Sequence, residues 1–519
     1  MTSNGNLKRT PVETTLPFLN TALQSLTPER LAGMRRGIEK ESLRATLDGK
    51  LVHTPHPAAL GSALTHPAIT TDFSESQIEI VTGVHAKAED CIAQLEELHQ
   101  VVYRGIADER LWVSSMPCHL PKDHDIPLGQ YGTSNIGRAK TVYRMGLSHR
   151  YGRRMQTISG IHYNWSLPGL SNDEYFALIR NFRRHSFLLL LLFGASPAVG
   201  ECFVAGHEHE LLPLGEHTLH MPHGTSLRMG RLGYQSDAQA SLAVSYNGIE
   251  GYGASLQDAL TRAWPPYEAV GIQGADGEYR QLSTTLLQIE NEFYGTIRPK
   301  RTIISGERPL HALRQRGVEY VEVRCMDLDP FEAVGINAST ARFLDVFLLH
   351  CLLSPSPADT PDEIAALGRN QHRTAARGRE PGLTLERAGR DVPLVDWAAE
   401  LLEACGPIAR RLDQHHGGQA HQQALTAARQ SLVDMALLPS ARVLRAMQAD
   451  HAGAFVPFVQ ARSELAREAA LARPLSAEAQ ALWAEVAAQS LAEQARIEAA
   501  QTLSFEDFRR DYVSPQRLG

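Results

Sequence analysis

The sequence predicts an α+β fold, and three observations carry that prediction. Short runs in which polar and apolar residues alternate recur through the first two thirds of the chain: "ISGIHYNWSL", "LAVSYNGI", "TLLQIENEFY" and "GVEYVEVRCMDLD". One wet face per run points to antiparallel strands, because strands buried on both faces read as continuous apolar stretches. Helical patterns such as "AEDCIAQLEELHQVVYRGI" sit between these runs. Beyond about residue 390 alanine, leucine, glutamate, glutamine and arginine dominate, and the texture becomes helical.

Taken in order, residues 1–35 form an N-terminal helical segment, where "TPERLAGMRRG" offers Thr27 as a helix cap and a closing glycine. Residues 36–355 hold the alternating strands and helices and form the catalytic α+β core. The polar, proline-rich "LSPSPADTPDE" is a connector. Residues 356–519 then form a mainly helical region packed on that core, with "LSAEAQALWAEVAAQSLAEQARIEAAQTL" as its clearest amphipathic pattern. This last region reads as a buttress rather than a source of catalytic groups.

Composition narrows the function. The 519 residues are 43% hydrophobic and 21% charged, ordinary values for a globular protein. The formal charge of −7, without a lysine or arginine run, argues against a nucleic-acid partner. The six cysteines form no CxxC pair and read as buried reduced thiols. The opening "MTSNGNLKRTPVETT" has no apolar signal core, and the longest apolar run, Phe187 to Phe193, is too short to cross a bilayer. A cytoplasmic protein without a membrane partner is expected.

The chemistry gathers where carboxylates share a strand face. Residues i and i+2 of a strand point the same way. Glu39 and Glu41 therefore pair in "RRGIEKESLR", Glu290 and Glu292 in "QIENEFY", Glu322 and Arg324 in "EYVEVRC", and His162 and Asn164 in "GIHYNWS", while Asp72 and Glu79 bracket "DFSESQIE". Each pair alone is equally readable as a solvated strand edge. Convergence on one curled sheet would require cations, since buried like charges stay ionised only when compensated. Oxygen-rich sites with one nitrogen suit Mg²⁺ or Mn²⁺, and phosphoryl transfer is the reaction they serve best.

No GxxxxGK[ST] motif is present, and no GxGxxG follows a strand, so a nucleotide would be held by metal ions and by arginines among Arg144, Arg228, Arg298, Arg301 and Arg324. The histidine-rich "GHEHELLPLGEHTLHMPHGTS" is not an HExxH motif and reads as a polar loop.

The blocks "RRGIEKESLR", "GSALTHPAITTDFSESQIEIVT", "QYGTSNIGRAKTVYRMGL", "RYGRRMQTISGIHYNWSLP", "LQIENEFYGTIRPKR" and "GVEYVEVRCMDLDPF", in this order, resemble the proteobacterial type of glutamate–cysteine ligase. The resemblance implies a glutamine-synthetase-like funnel of curled antiparallel sheet. It implies ATP-dependent ligation of L-glutamate to L-cysteine through γ-glutamyl phosphate, or of another amine in its place. ATP and Mg²⁺, or Mn²⁺, are the implied cofactors, glutathione the feedback inhibitor, and a monomer the assembly.

Residue by residue, Glu39, Glu41, Asp72, Glu79, His162 and Glu322 match the family's metal ligands, and Arg324 faces the transferred phosphoryl group beside Glu322. Tyr143, Gln156, Arg228, Tyr234, Tyr294 and Arg324 match the amino-acid pocket. Arg298 and Arg301 are the arginines assigned to the nucleotide. Glu39→Gln or Glu322→Gln is expected to abolish activity and leave the fold intact.

Overall fold

The computed structural model describes residues 22–233, 237–240, 242–304 and 306–519. Its spine is strand β1 (Arg35–Ala45), which lies between two shorter strands and also pairs at its end with a two-residue strand. Following the chain, β2 (Ile69–Thr71), β3 (Gln77–Val81), β4 (Arg110–Leu111) and β5 (Ile161–Ser166) come next. A small three-stranded sheet intervenes, made of β6 (Ala198–Gly200), β7 (Leu212–Gly215) and β8 (Thr218–His220). The main sheet then closes its order with β9 (Ile297–Lys300) and β10 (Tyr320–Met326). Its strand order is β2-β3-β1-β5-β10-β9 with β4 beside β1, every pair is antiparallel, and the sheet remains open. A hairpin of β11 (Thr384–Arg387) and β12 (Arg390–Pro393) follows.

Among the helices, α1 (Pro28–Ala32) begins as its sequence dictates, with the Thr27 side chain accepting from the Arg30 amide and Gly33 closing the turn. Helix α2 (Ala88–Gly105), α3 (Asn135–Tyr151), α4 (Asn172–His185), α5 (Phe187–Phe193) and α6 (Ala338–Leu353) surround the sheet. Helix α7 (Pro361–Arg377) starts directly after the proline-rich connector, and near the C-terminus come α8 (Ala477–Ala500) and α9 (Phe505–Tyr512). Residues from Leu26 to Leu518 contribute to one large apolar cluster, so the C-terminal helices share the core with the sheet.

Strand alternation gives β1 two chemically opposite faces. Ile38 packs inward with Ile78, Ile80, Tyr163, Val321 and Val323, all essentially inaccessible. Arg36 and Lys40 point the same way, so two cations enter the core. Arg36 meets Asp345 of α6 at 3.0 Å, and the Tyr163 hydroxyl donates to the same carboxylate at 2.8 Å. Lys40 has no carboxylate beside it. Its ammonium lies 2.8 Å from His99 Nε2, while His99 Nδ1 donates to the Leu95 carbonyl of the same helix at 2.7 Å. Burial pushes the Lys40 ammonium down to about 7.

Two of the predicted strands do not form. "LAVSYNGI" is irregular chain, and "QIENEFY" holds a single 3₁₀ turn, Glu290–Glu292. The two glutamates there therefore do not share a strand face. Buried Glu290 accepts from Arg308 at 2.7 Å and from the Leu310 amide, and buried Glu292 takes Arg150 at 2.8 Å and the Tyr151 hydroxyl at 2.6 Å. Their charges tie loops together. The histidine-rich stretch is not a free loop but the β7–β8 hairpin, anchored where the Phe455 amide donates to Thr218 at 2.8 Å.

Asp345→Asn should cost about 3 kcal/mol or more, because it strands the buried Arg36 charge; thermal unfolding followed by circular dichroism checks this, and an unchanged midpoint would show the pair to be dispensable. Lys40 predicts a pH dependence. Its folded pKa, about 7, lies below the ordinary 10.5, so the unfolded chain binds more protons between these values. The penalty is full below pH 7 and fades as pH rises towards 10.5. Lys40→Met should therefore gain most over the wild type near pH 7 and progressively less by pH 10. A pH-independent difference would refute it.

Candidate active site

The opposite face of β1 carries Gly37, Glu39 and Glu41, and the register lines up an acidic row across four strands. Glu41 stands opposite Glu79 of β3, Glu39 opposite His162 of β5, and Glu322 of β10 opposite Asn164 of β5. Asp72, just past β2, lines the same cavity as Glu79. Arg298 and Lys300 of β9 flank Glu322 from the sheet edge. Strand pairing thus brings together residues separated by up to 283 positions in sequence, from Glu39 to Glu322, and the end of β2 adds Asp72.

His162 Nδ1 lies 3.0 Å from Glu39 and 3.9 Å from Glu322, and its Nε2 lies 3.7 Å from Glu41. Asn164 donates to the other Glu39 oxygen at 2.9 Å, which fixes that carboxylate. Glu39, His162 and Glu322 each offer a ligand atom, and these atoms lie within 4.8 Å of one another. If Nδ1–H donates to Glu39, the Nε2 lone pair faces the Glu41 carboxyl. Such an arrangement is reconciled by a proton or by a shared cation.

Charge divides the acids into two groups. Burial alone would raise Glu322, but Lys300 at 3.0 Å and Arg324 at 2.9 Å hold it well below the usual carboxylate range. Burial and Glu322 likewise oppose ionisation of Glu39, yet the His162 hydrogen bond and Lys300 leave it lowered. Glu41 goes the other way: burial, then Asp72, push it up to about 8 against Arg228 and Arg324. Burial followed by Asp72, Glu39 and Glu41 raises Glu79 well above its usual value. Burial and the Arg324 charge lower His162, which keeps the imidazole neutral and able to ligate. A site with cation-paired acids at one end and cation-starved acids at the other fits divalent metal binding.

Two cavities, of about 580 and 530 Å³, meet at this face. Glu41, His162, Tyr294 and Arg324 border both. The larger cavity also reaches Tyr143, Gln156 and Arg298, and Gln156 donates to the Tyr294 hydroxyl at 3.1 Å. The smaller one contains Arg228, whose guanidinium donates to the Arg324 carbonyl at 2.8 Å and lies 4.0 Å from buried Asp327. Asp327 is itself held by Ser196, Ser226 and the Ala195 amide, so the Arg228 loop has a fixed seat. Gly160 is required there: a Cβ would sit 2.1 Å from Arg228 Nη2, while the Gly160 amide donates to Glu41 at 2.6 Å.

Tyr234 lies outside the described residues. Arg298 is buried at the edge of the larger cavity, with its Nη2 donating to the Asn291 and Phe293 carbonyls. Arg301 turns away, donating to the Arg316 carbonyl at 2.6 Å and facing Glu319, and lines neither cavity. Lys300, not singled out by sequence, stands instead beside Glu322. The signal was available in "IRPKR", where positions 298 and 300 must share a strand face.

A sequence profile described as glutamate-cysteine ligase matches residues 20–374. The glutamate–cysteine ligase of Alcanivorax borkumensis is 48% identical over 505 residues, covering 93% of this chain and 96% of that protein. That of Pseudomonas entomophila is 49% identical over 490 residues, covering 91% and 92%. Among solved structures, the Francisella tularensis glutamate–cysteine ligase in complex with AMP superposes with a TM-score of 0.88 at 35% identity, over 93% of this chain and 98% of that one. A bifunctional glutathione synthetase from Pasteurella multocida gives a TM-score of 0.71 at 25% identity, over 90% of this chain and 58% of its own. An acidic sheet face between two cavities, matched over nearly the full length of both chains, places this protein in the glutamate–cysteine ligase family.

Proposed function

We propose that the chain joins the γ-carboxylate of L-glutamate to the amine of L-cysteine at the expense of ATP, through γ-glutamyl phosphate. The observation that carries this reading is the shared wall of Glu41, His162, Tyr294 and Arg324. A nucleotide in the larger cavity and amino acids in the smaller one would meet there. A γ-carboxylate oxygen of glutamate takes the terminal phosphoryl group and ADP departs. The cysteine nitrogen then attacks the acyl carbon, phosphate leaves with the C–O electron pair, and the amine loses one proton as the C–N bond forms.

The chain's own groups supply position and charge. Arg324 and Lys300, both at Glu322, present positive charge to the phosphoryl group in transit. Arg298 adds charge on the nucleotide side, in a role that Arg301 does not reach in this geometry. Arg228 offers its planar fork to an amino-acid carboxylate, with Tyr294 on the shared wall and Tyr143 and Gln156 reaching that wall from the larger cavity; Tyr234, outside the described residues, belongs to the same reading. Glu39, His162 and Glu322 would hold one divalent cation, and Glu41, Asp72 and Glu79 would complete the metal set. Oxygen ligands with a single nitrogen suit Mg²⁺ or Mn²⁺, which when bound neutralise phosphate charge. The reading includes glutathione as a feedback inhibitor, since it contains the product unit, and a monomer acting in the cytoplasm.

With ATP, Mg²⁺ and glutamate present, phosphate release should rise strongly on adding cysteine, less with 2-aminobutyrate and not with putrescine. Release equal to the amine-free control would refute the cysteine reading, and a preference for another amine would redirect it. Glu322→Gln and Glu79→Gln should each lower turnover at least about 100-fold. Their metal-free stabilities should diverge. Glu322→Gln removes the counter-charge of Lys300 and Arg324 and should lower the melting temperature, contrary to the expectation that it leaves the fold untouched. Glu79→Gln relieves repulsion and should leave the melting temperature equal or higher. Parallel melts and phosphate assays decide both points.

A further inference from the structure

The larger cavity has two chemically different ends, and α3 runs between them. Ile136, Ala139, Lys140, Tyr143, Arg144 and Leu147 line it at helical spacing. From Ile136 to Leu147 the helix spans about 16 Å. Near Arg144 the lining is ionic: that guanidinium donates to the Asp72 carbonyl, and the acidic sheet face lies beside it. Near Ile136 one wall is apolar, while Glu290, Asn291 and Glu307 line the cavity beside it. Ala139 and Leu282 belong to a small buried cluster with Phe505, and Ile289 and Tyr512 pack against it.

Ile497 of α8 and Tyr512 of α9 complete the lining at this apolar end. Both lie far beyond residue 374, where the family match stops. Their helices are stitched to the cavity rim. The Thr133 amide donates to Glu498 at 2.8 Å, Asn135 to the Leu503 carbonyl at 2.9 Å, and Arg509 to the Leu282 carbonyl at 2.6 Å. Tyr512 is held by two residues. Arg308, fixed by Glu290, donates to its carbonyl at 2.6 Å and covers its ring at 5.1 Å, while Phe508 stacks on it at 5.6 Å. Its hydroxyl makes no hydrogen bond to another described residue, and Tyr512 lines the cavity.

We propose that Ile497 and Tyr512 form the wall that receives the purine base of the nucleotide, so that the C-terminal helices supply part of the substrate site. The proposal rests on the ATP reading above. If the triphosphate goes to the cationic end, the base goes to the other, where Ile136, Ile497 and Tyr512 offer apolar surface and Glu290, Asn291 and Glu307 offer acceptors and an amide to its edge. The sequence led us to expect a buttress; these helices reach the cavity itself.

The test uses the full chain with Mg²⁺ and two probes, ATP and base-free tripolyphosphate, measured by titration calorimetry and as inhibition or KM in the phosphate-release assay. Tyr512→Ala should weaken ATP binding about tenfold, leave tripolyphosphate binding within twofold, and leave KM for glutamate and cysteine within twofold. Tyr512→Phe should keep wild-type ATP affinity, because the ring is retained. Ile497→Ala should weaken ATP roughly threefold and serves as the second variant should Tyr512→Ala fail to fold. Unchanged ATP affinity in Ile497→Ala and Tyr512→Ala, or equal weakening of ATP and tripolyphosphate, would overturn the proposal. Failure of the wild type to bind ATP would instead overturn the ligase reading beneath it.

Discussion

Buried Glu41 and half-buried Glu79 face each other directly across β1 and β3, with Asp72 beside them. Repulsion in so poorly hydrated a place is costly, and its relief organises the surroundings. On one flank the chain answers with its own cations, Lys300 and Arg324 at Glu322. On the other flank Arg144, Arg228 and Arg324 are outweighed by burial and by the neighbouring acids, and the carboxyls of Glu41 and Glu79 are driven towards their protonated forms. This asymmetry leaves a defined gap in the charge pattern. A divalent ion with phosphate oxygens attached fits such a gap better than any side chain, since it brings concentrated charge only when substrate is present.

The same strand sets a second constraint on its hidden face. Arg36 and Lys40 lie on the face of β1 opposite Glu39 and Glu41, so the strand sends cations inward and acids outward. A register slip of a single position would exchange the two faces and bury the acids against Ile78 and Val323. The Arg36–Asp345–Tyr163 network ties β1 and β5 to α6 and opposes that slip. Pairing of Glu39 with His162 on the front is thereby secured from the back.

Much of this was legible in the sequence because alternation is a local geometric signal. The runs containing Glu39, Glu79, His162 and Glu322 all became strands, and their acids converge. The same signal misled at Glu290 and Glu292. Their spacing is identical, yet distant arginines at 150 and 308 capture them in a 3₁₀ turn, and no local pattern reveals such partners. Lys300 was hidden for another reason: preference for a guanidinium fork drew attention to Arg298 and Arg301 and away from the ammonium between them. Ile497 and Tyr512 sit in helices whose composition speaks only of packing; their approach to a cavity depends on tertiary contacts.

Gly160 connects the two halves of the site in a way that bears on redesign. Its amide is committed to Glu41, and the space where its side chain would be is filled by Arg228. Adding even a methyl group displaces a guanidinium on one side and, through the backbone, a carboxylate on the other. The Arg228 side of the smaller cavity and the acidic cluster therefore share a single stretch of main chain. Attempts to widen the smaller cavity from this position would perturb the acidic cluster in the same stroke, whereas the walls contributed by α7, such as Ile364 and Ala365, offer a route that leaves the charges alone.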